Sequence, residues 1–309
     1  MTTTALPLAT ERTTHRSGQA RAEAIVAYVL SAPAMVCLLG ILILPTLATV
    51  VLSFTDWQFG APTLRWIGLD NYTHLAADRV FWKSLGNTVL YVAAVVPLSV
   101  GLGLGVALLI EAGTSGRAFY RAAYFLPVTA TLIAMATVWE IMLHPSIGLI
   151  NVTIDALGFP KQNWLKNPDW ALFSLACIGI WQALGLNMVL LLAGLKSIPR
   201  DLYEAAAVDG ADGPWTRFVT VTLPMLGPAL SFVLIISAIR SFQVFDTVAV
   251  LTEGGPNKAT EVLLYTMYQE GFSFFRAGYA AAITVVFLAF VLLLTLVKAR
   301  IAEKRVHYS

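Results

Sequence analysis

The sequence predicts an all-α polytopic membrane protein, and three observations lead there. Of its 309 residues, 58% are hydrophobic and only 12% charged, against roughly 25% charged in a soluble domain. The mean hydropathy is +0.74. Six apolar stretches each reach the about 20 residues that a helix needs to cross a bilayer.

These stretches run near 25–54, 85–110, 122–143, 171–194, 223–251 and 277–297. They divide the chain into a tail (1–24), a six-helix core (25–298) that contains a polar loop (195–222), and a second tail (299–309). The first stretch is far longer than the core of a signal peptide and reads as a retained helix behind a polar, Thr-rich tail. With the amino terminus inside, twelve Lys and Arg residues fall in inner segments and seven in outer loops. That bias places both termini in the cytoplasm. Trp57, Trp66, Trp82, Trp164 and Trp170 then lie near the outer interface, where an amphipathic ring prefers to sit.

In the second stretch, Gly101 and Gly105 form a small-xxx-small pair that permits a close helix crossing. As a phosphate cradle this glycine cluster is poor, since it lies within a span and no lysine follows. The outer loops are rich in turn formers, at 68–71, 145–148, 158–160 and 254–256, and read as folded but too small for a further domain. The inner loop 196–228 reads as two short helices separated by a glycine. Ser197 is the expected cap of the first, Pro199 suits its first turn, and Asp201 and Glu204 lie near its positive end. Gly210 stops it, Asp212-Gly213-Pro214 turns, and Leu223-Pro224 is expected to break the chain again.

Polar residues inside the membrane are the sharpest functional signal. Arg240 sits mid-span, at a cost of at least about 2.5–3.5 kcal/mol, so it should face a cavity or a partner. On a continuous helix Arg240, Gln243 and Thr247 share one stripe, with Asp246 at its flank. The fourth stretch adds Trp181, Gln182 and Asn187, and the third adds Thr129, Thr131 and Glu140. Amides, hydroxyls and aromatic faces suit a hydroxyl-rich, sugar-sized solute, whereas a proton pump needs carboxylates deep in the bundle. An intramembrane ion pair of Arg240 with a carboxylate is the structural alternative.

Other classes find little support. Net charge is +2 with no basic cluster interleaved with aromatics, so no nucleic acid is expected. Cys37 and Cys177 lie far apart in apolar runs, and the four histidines are scattered, so neither a metal site nor a disulfide framework is suggested. There is no HExxH or GxSxG, and no GxxxxGK[ST], so any ATP must bind another polypeptide. A self-sufficient ion-coupled carrier using Arg240 and Asp246 remains the competing class.

Glu204-Ala205-Ala206, Asp209-Gly210-Ala211 and Leu223-Pro224 with Pro228 together resemble the cytoplasmic EAA loop of permease subunits of binding-protein-dependent ABC importers. Phe242 to Asp246 and Leu251 to Pro256 are similar to the carbohydrate branch, the maltose and glycerol-3-phosphate type, as is the stretch 264–272. The resemblance spans 25–297 and implies the type I importer fold in a bacterial inner membrane. It implies four kinds of partner besides lipid: a second permease subunit, a dimer of ATPase subunits that hold ATP and Mg, an extracytoplasmic solute-binding protein, and a sugar-class solute. No cofactor is expected on this chain. By the same resemblance Glu204 reaches the ATPase, and Gly179, Gln182, Leu186, Arg240 and Gln243 lie on the solute path. Arg240 departs from the neutral or aromatic residue usual there, which implies an anionic sugar or polyol.

Overall fold

Two parallel helices form the axis of the structure. The computed structural model describes residues 11–305 apart from 114 and 212, so expectations for 1–10, Asp212 and 306–309 lie outside the described residues. Helix α1 (Glu11–Cys37) passes through a π-helical turn (Leu38–Ile43) into α2 (Leu44–Leu52). There follow α3 (Asp70–Ala77), α4 (Arg79–Ala112), α5 (Arg117–Thr129), α6 (Leu132–Met142), α7 (Leu149–Ala156) and α8 (Pro168–Lys196). Next come α9 (Arg200–Val208), α10 (Pro214–Arg217), α11 (Leu223–Phe242), α12 (Asp246–Leu251), α13 (Leu263–Tyr268) and α14 (Ala277–Arg305).

The axis is α4 against α8. Gly103 lies against Asn187, where an added methyl would stand 3.0 Å from its Cβ, and Gly179 lies against the Tyr91 hydroxyl. Both contacts advance along both chains, so the two helices run in the same direction. Gly101 and Gly105, the expected crossing pair, instead have nothing within 4 Å. The contact belongs to the glycine between them, because only one face of α4 meets α8. Helix α11 runs antiparallel to α8, with Gly194 against Ala229 at one end and Ser237 bonded to Asn187 further along. Gly185 brings α5 against α8 at the backbone of Tyr124. In lipid, where apolar surface gives little drive to associate, such close backbone approach supplies dispersion contact.

Among the described residues, four helical runs are long and apolar enough to cross a membrane: Glu23–Leu52, Arg79–Ala112, Pro168–Lys196 and Pro214–Leu251. The expected third span is not one straight rod. Arg117–Thr129 and Ile133–Met142 meet at a bend of 102°. Pro127 removes a backbone donor there, and Ala130 and Thr131 are extended. The apolar part of the last helix, Ala277–Leu293, is shorter than the other spans. The fifth span begins earlier than expected. Leu223-Pro224 does not break the chain, because a π-helical turn at Phe218–Thr222 links α10 to α11 and accommodates the donor that Pro224 lacks.

The polar loop lies at the end where α4 and α8 finish. A buried cluster there joins Ile110 of α4, Leu191 and Leu195 of α8, Ile198, Val221, and Leu226 of α11. The opposite end is capped by folded loops. Asn151, fully buried, donates to the carbonyls of His144, Pro145 and Gln162 and accepts from Gln162 N and Trp164 Nε1, which organises 144–167. The turn after α12 is pinned to α4: Lys83 Nζ donates to the Asn257 carbonyl at 2.6 Å and Asn87 Nδ2 to the Glu261 carbonyl at 2.8 Å. Burial pushes the Glu261 carboxyl above the usual range, against the pull of Lys258 3.8 Å away. These loops are folded and small, as their turn formers imply.

Replacing Gly103 by Val should overpack the α4–α8 contact by about 1–3 kcal/mol and lower the thermal midpoint of the detergent-solubilised protein. Gly101→Val should leave it unchanged. Equal losses in both variants would count against this packing.

Candidate functional site

A cavity of about 420 Å³ opens between α4, α8 and α11, within the range of small-molecule sites. Seven residues singled out from sequence line it: Gly179, Gln182, Leu186, Asn187, Arg240, Gln243 and Asp246. A smaller extension of about 120 Å³ continues it past Arg240, Gln243 and Asp246 to Thr247.

The assembly of the charged end depends on a helix break. Helix α11 stops at Phe242, Gln243 leaves helical geometry at φ −88°, ψ 17°, and Phe245 sits at φ −143°, ψ −58° before α12 begins. On an unbroken helix Asp246 would be turned about 240° from Arg240. The break brings both into one cavity. The expected grouping of Arg240, Gln243 and Thr247 is kept, with Thr247, largely buried, lining the smaller extension, and the break adds Asp246 to both spaces. Among the described residues, the four ion pairs within 4.0 Å do not include Arg240 or Asp246. Their charges face the cavity instead of each other.

Asn187 has a different task from the others. Only 2% exposed, it donates from Nδ2 to Ser99 Oγ of α4 at 3.0 Å and accepts at Oδ1 from Ser237 Oγ of α11 at 2.8 Å. Its amide ties three helices together at the cavity wall. Trp181 and Thr131 do not reach the cavity. The Trp181 ring packs edge-on against Trp139 at 5.4 Å and so joins α8 to α6. Thr131 is exposed at the α5–α6 bend. Tyr91, Ser237 and Ser241 also line the cavity and were not identified from sequence. The signals that could have found them are the i, i+4 serines beside Arg240 and a lone tyrosine in an apolar span.

The polar loop forms a second candidate site. Helix α9 starts after Pro199, and Ser197 does not cap it: its hydroxyl donates to the Gly194 carbonyl at 2.8 Å and finishes α8. Gly210 terminates the helix at φ +89°, a conformation glycine tolerates. Tyr203 bonds Thr222 at 3.0 Å, Ala211 N donates to the Ala206 carbonyl at 2.8 Å, and Arg217 Nε donates to the Ala211 carbonyl at 2.9 Å. Ala206 and Tyr203 pack on the core, and Ala211 is buried. Glu204, Ala205, Asp209, Leu223 and Pro224 are exposed. The loop is thus a fixed projection that presents Glu204 and Ala205 outward, with Val208 88% and Trp215 74% exposed on the same projection.

A family model described as "Binding-protein-dependent transport system inner membrane component" matches residues 99–307. The chain is 35% identical to the sulfoquinovosyl glycerol transport system permease protein SmoG of Agrobacterium fabrum, over 91% of each chain. It is also 35% identical to the trehalose/maltose transport system permease protein MalF of Thermococcus litoralis, over 92% of this chain and 95% of that one. Among solved structures, a bacterial ABC transporter involved in the import of the acidic polysaccharide alginate superposes with a TM-score of 0.81, at 23% identity, over 94% of this chain and 99% of that chain. That likeness supports the fold.

If Asn187 ties α4 to α11, Asn187→Leu should cost about 1–3 kcal/mol, because it takes the acceptor from the Ser237 hydroxyl and leaves Ser99 only its bond to the Val96 carbonyl. In a double-mutant cycle Asn187→Leu and Ser237→Ala should couple. Additive losses of thermal midpoint would show that the bridge is not formed.

Proposed function

The chain belongs to the family of binding-protein-dependent transport system inner membrane components, the permease subunits of ABC importers, and on that premise we propose that it carries a sugar or polyol derivative bearing an anionic group. It is a transport component; in this class ATP hydrolysis occurs on separate ATPase subunits. It works beside a second permease subunit, with an extracytoplasmic binding protein that delivers the solute. The reading includes six crossings with both termini cytoplasmic, in the inner membrane of a bacterial cell; the four long runs, the bent pair and the shorter apolar helix Ala277–Leu293 support it.

The observation that carries the solute class is the cavity in which Arg240 points at open space beside Gln182, Gln243 and Asp246. A guanidinium offers a rigid fork of donors to phosphate, sulfonate or carboxylate oxygens. The neighbouring amides and Asp246 accept and donate hydrogen bonds to hydroxyls. One relative is named for sulfoquinovosyl glycerol, a sulfonated solute, and another for trehalose and maltose, which are uncharged. Arg240 favours the first kind.

Helix α9 supports the coupling role. Glu204 and Ala205 face outward from a loop that is bonded to both α8 and α11, so a partner that grips it moves the two helices that line the cavity. ATP-driven closure of the ATPase pair then biases a two-state bundle. An ion-coupled carrier would have no use for such a projection.

In reconstituted importer, Arg240→Gln should lower uptake efficiency for an anionic sugar roughly tenfold or more while sparing its neutral counterpart. Unchanged discrimination would remove the anionic reading. Glu204→Lys should abolish co-purification with the ATPase without lowering the thermal midpoint of this chain; retained ATPase would exclude Glu204 from the contact.

A further inference from the structure

A second space, of about 550 Å³, opens on the side of α12 toward α2, α13 and α14. Aromatic rings line it in sequence. Trp57 meets Phe59 with centroids 5.1 Å apart, Phe59 stacks on Phe272 at 5.8 Å, Phe272 stacks on Tyr268 at 5.6 Å, and Tyr268 meets Phe245 edge-on at 5.2 Å. Phe245 flanks Asp246, and Gln243 and Asp246 line both this space and the Arg240 cavity. The ladder therefore leads from the loop end of the bundle to the charged site. Phe59, Tyr268 and Phe272 are 45%, 44% and 62% exposed, so their rings are available.

We propose that this ladder is a second solute subsite, which stacks a pyranose ring of a glycoside or disaccharide whose other, anionic unit lies at Arg240. The proposal rests on the sugar reading of the Arg240 cavity and extends it. A pyranose has an apolar C–H face and a hydroxyl edge, which matches rings along the wall and a carboxylate and an amide at the floor. An acyl chain matches the rings but not Asp246, whose charge it would desolvate without compensation. Gln243 and Asp246 line both spaces, which places the two side by side, and the subsite requires that one ligand reach across them. The permease would then prefer two-unit solutes, with the anion fixing one end and ring stacking the other.

The test uses the assembled importer in nanodiscs, with Cys37→Ser and Cys177→Ala removing the native thiols. Phe272→Cys reports on the ladder and Ala183→Cys on the Arg240 cavity, and each is labelled with a water-soluble methanethiosulfonate. The probes are a diuronate, the matching monouronate and maltose. The diuronate should slow labelling at both positions, about tenfold at a concentration near ten times its Kd. The monouronate should protect Ala183→Cys alone. Separately, Tyr268→Ala should raise the KM for the diuronate about three- to tenfold and leave that for the monouronate unchanged. Protection of Ala183→Cys by the diuronate, with Phe272→Cys labelled at its unliganded rate, would overturn the subsite and leave the Arg240 reading standing. No slowing at either position by any probe would overturn both. A Phe272→Cys that reacts in the isolated chain but not in the unliganded importer would show that the second permease subunit covers the ladder, and would overturn the subsite as well.

Discussion

The structure depends on how closely α4 and α8 approach in an apolar medium. Between lipid-bathed helices the hydrophobic effect supplies little, so contact distance and buried hydrogen bonds must hold the pair. Gly103 lets the backbones meet and Gly179 makes room for the Tyr91 side chain, and the amide of Asn187 then reaches Ser99 on one side and Ser237 on the other. Each of these polar atoms is satisfied, which matters because an orphaned amide in such a place costs more than the bond it could make. With that contact fixed, α11 has a defined position, and the space left between the three helices becomes the cavity.

The second constraint is the break after Phe242. A regular helix distributes its side chains around a cylinder, so it cannot aim residues six positions apart into the same space. Interrupting it at Gln243–Phe245 solves this for Arg240 and Asp246. Non-helical backbone at membrane depth is tolerated where it lines a cavity or is buried in protein, and here it lies against two cavities. The same break gives Phe245 its place at the start of the aromatic ladder. One backbone irregularity therefore serves both the charged site and the stacking site.

Much of this was legible in the sequence, because hydropathy and charge act over whole segments. Four of the six expected spans, the stop at Gly210 and seven cavity residues follow from composition, spacing and a motif resemblance. What sequence misplaced were features decided by which face of a helix meets its neighbour. Gly101 and Gly105 look like the crossing pair, yet Gly103 makes the contact, since register against α8 is a tertiary property. Asn187 looks like a solute ligand and does line the cavity, but both ends of its amide are also engaged by serines 88 and 50 residues away. Leu223-Pro224 looks like a break, yet a π-helical turn absorbs the missing donor. Ser197 looks like a helix start, yet its hydroxyl closes the helix before it. In each case local chemistry permitted two outcomes and packing selected one.

The cavity and the projecting loop are joined by the same two helices, and this bears on how a force at one end reaches the other. Helix α8 runs from the cavity residues Gln182 and Leu186 directly to Lys196, one turn from α9. Helix α11 begins beside Thr222, which Tyr203 of α9 holds, and carries Arg240 in its last turn before it stops at Phe242. The buried cluster of Leu191, Leu195, Ile198, Val221 and Leu226 fills the space between these routes, so a push on α9 is transmitted through packed side chains rather than absorbed by a loose linker. The weak points lie elsewhere: the π-helical turn below α11 and the interruption above it. A rigid segment bounded by two irregular turns can tilt about them with little strain inside. Tilting α11 relative to α8 would stretch the Ser237–Asn187 bond first, because it is the polar tie between them at the cavity wall. Under the proposed coupling, that bond would hold one state of the cavity until the loop is driven hard enough to exchange it for the other.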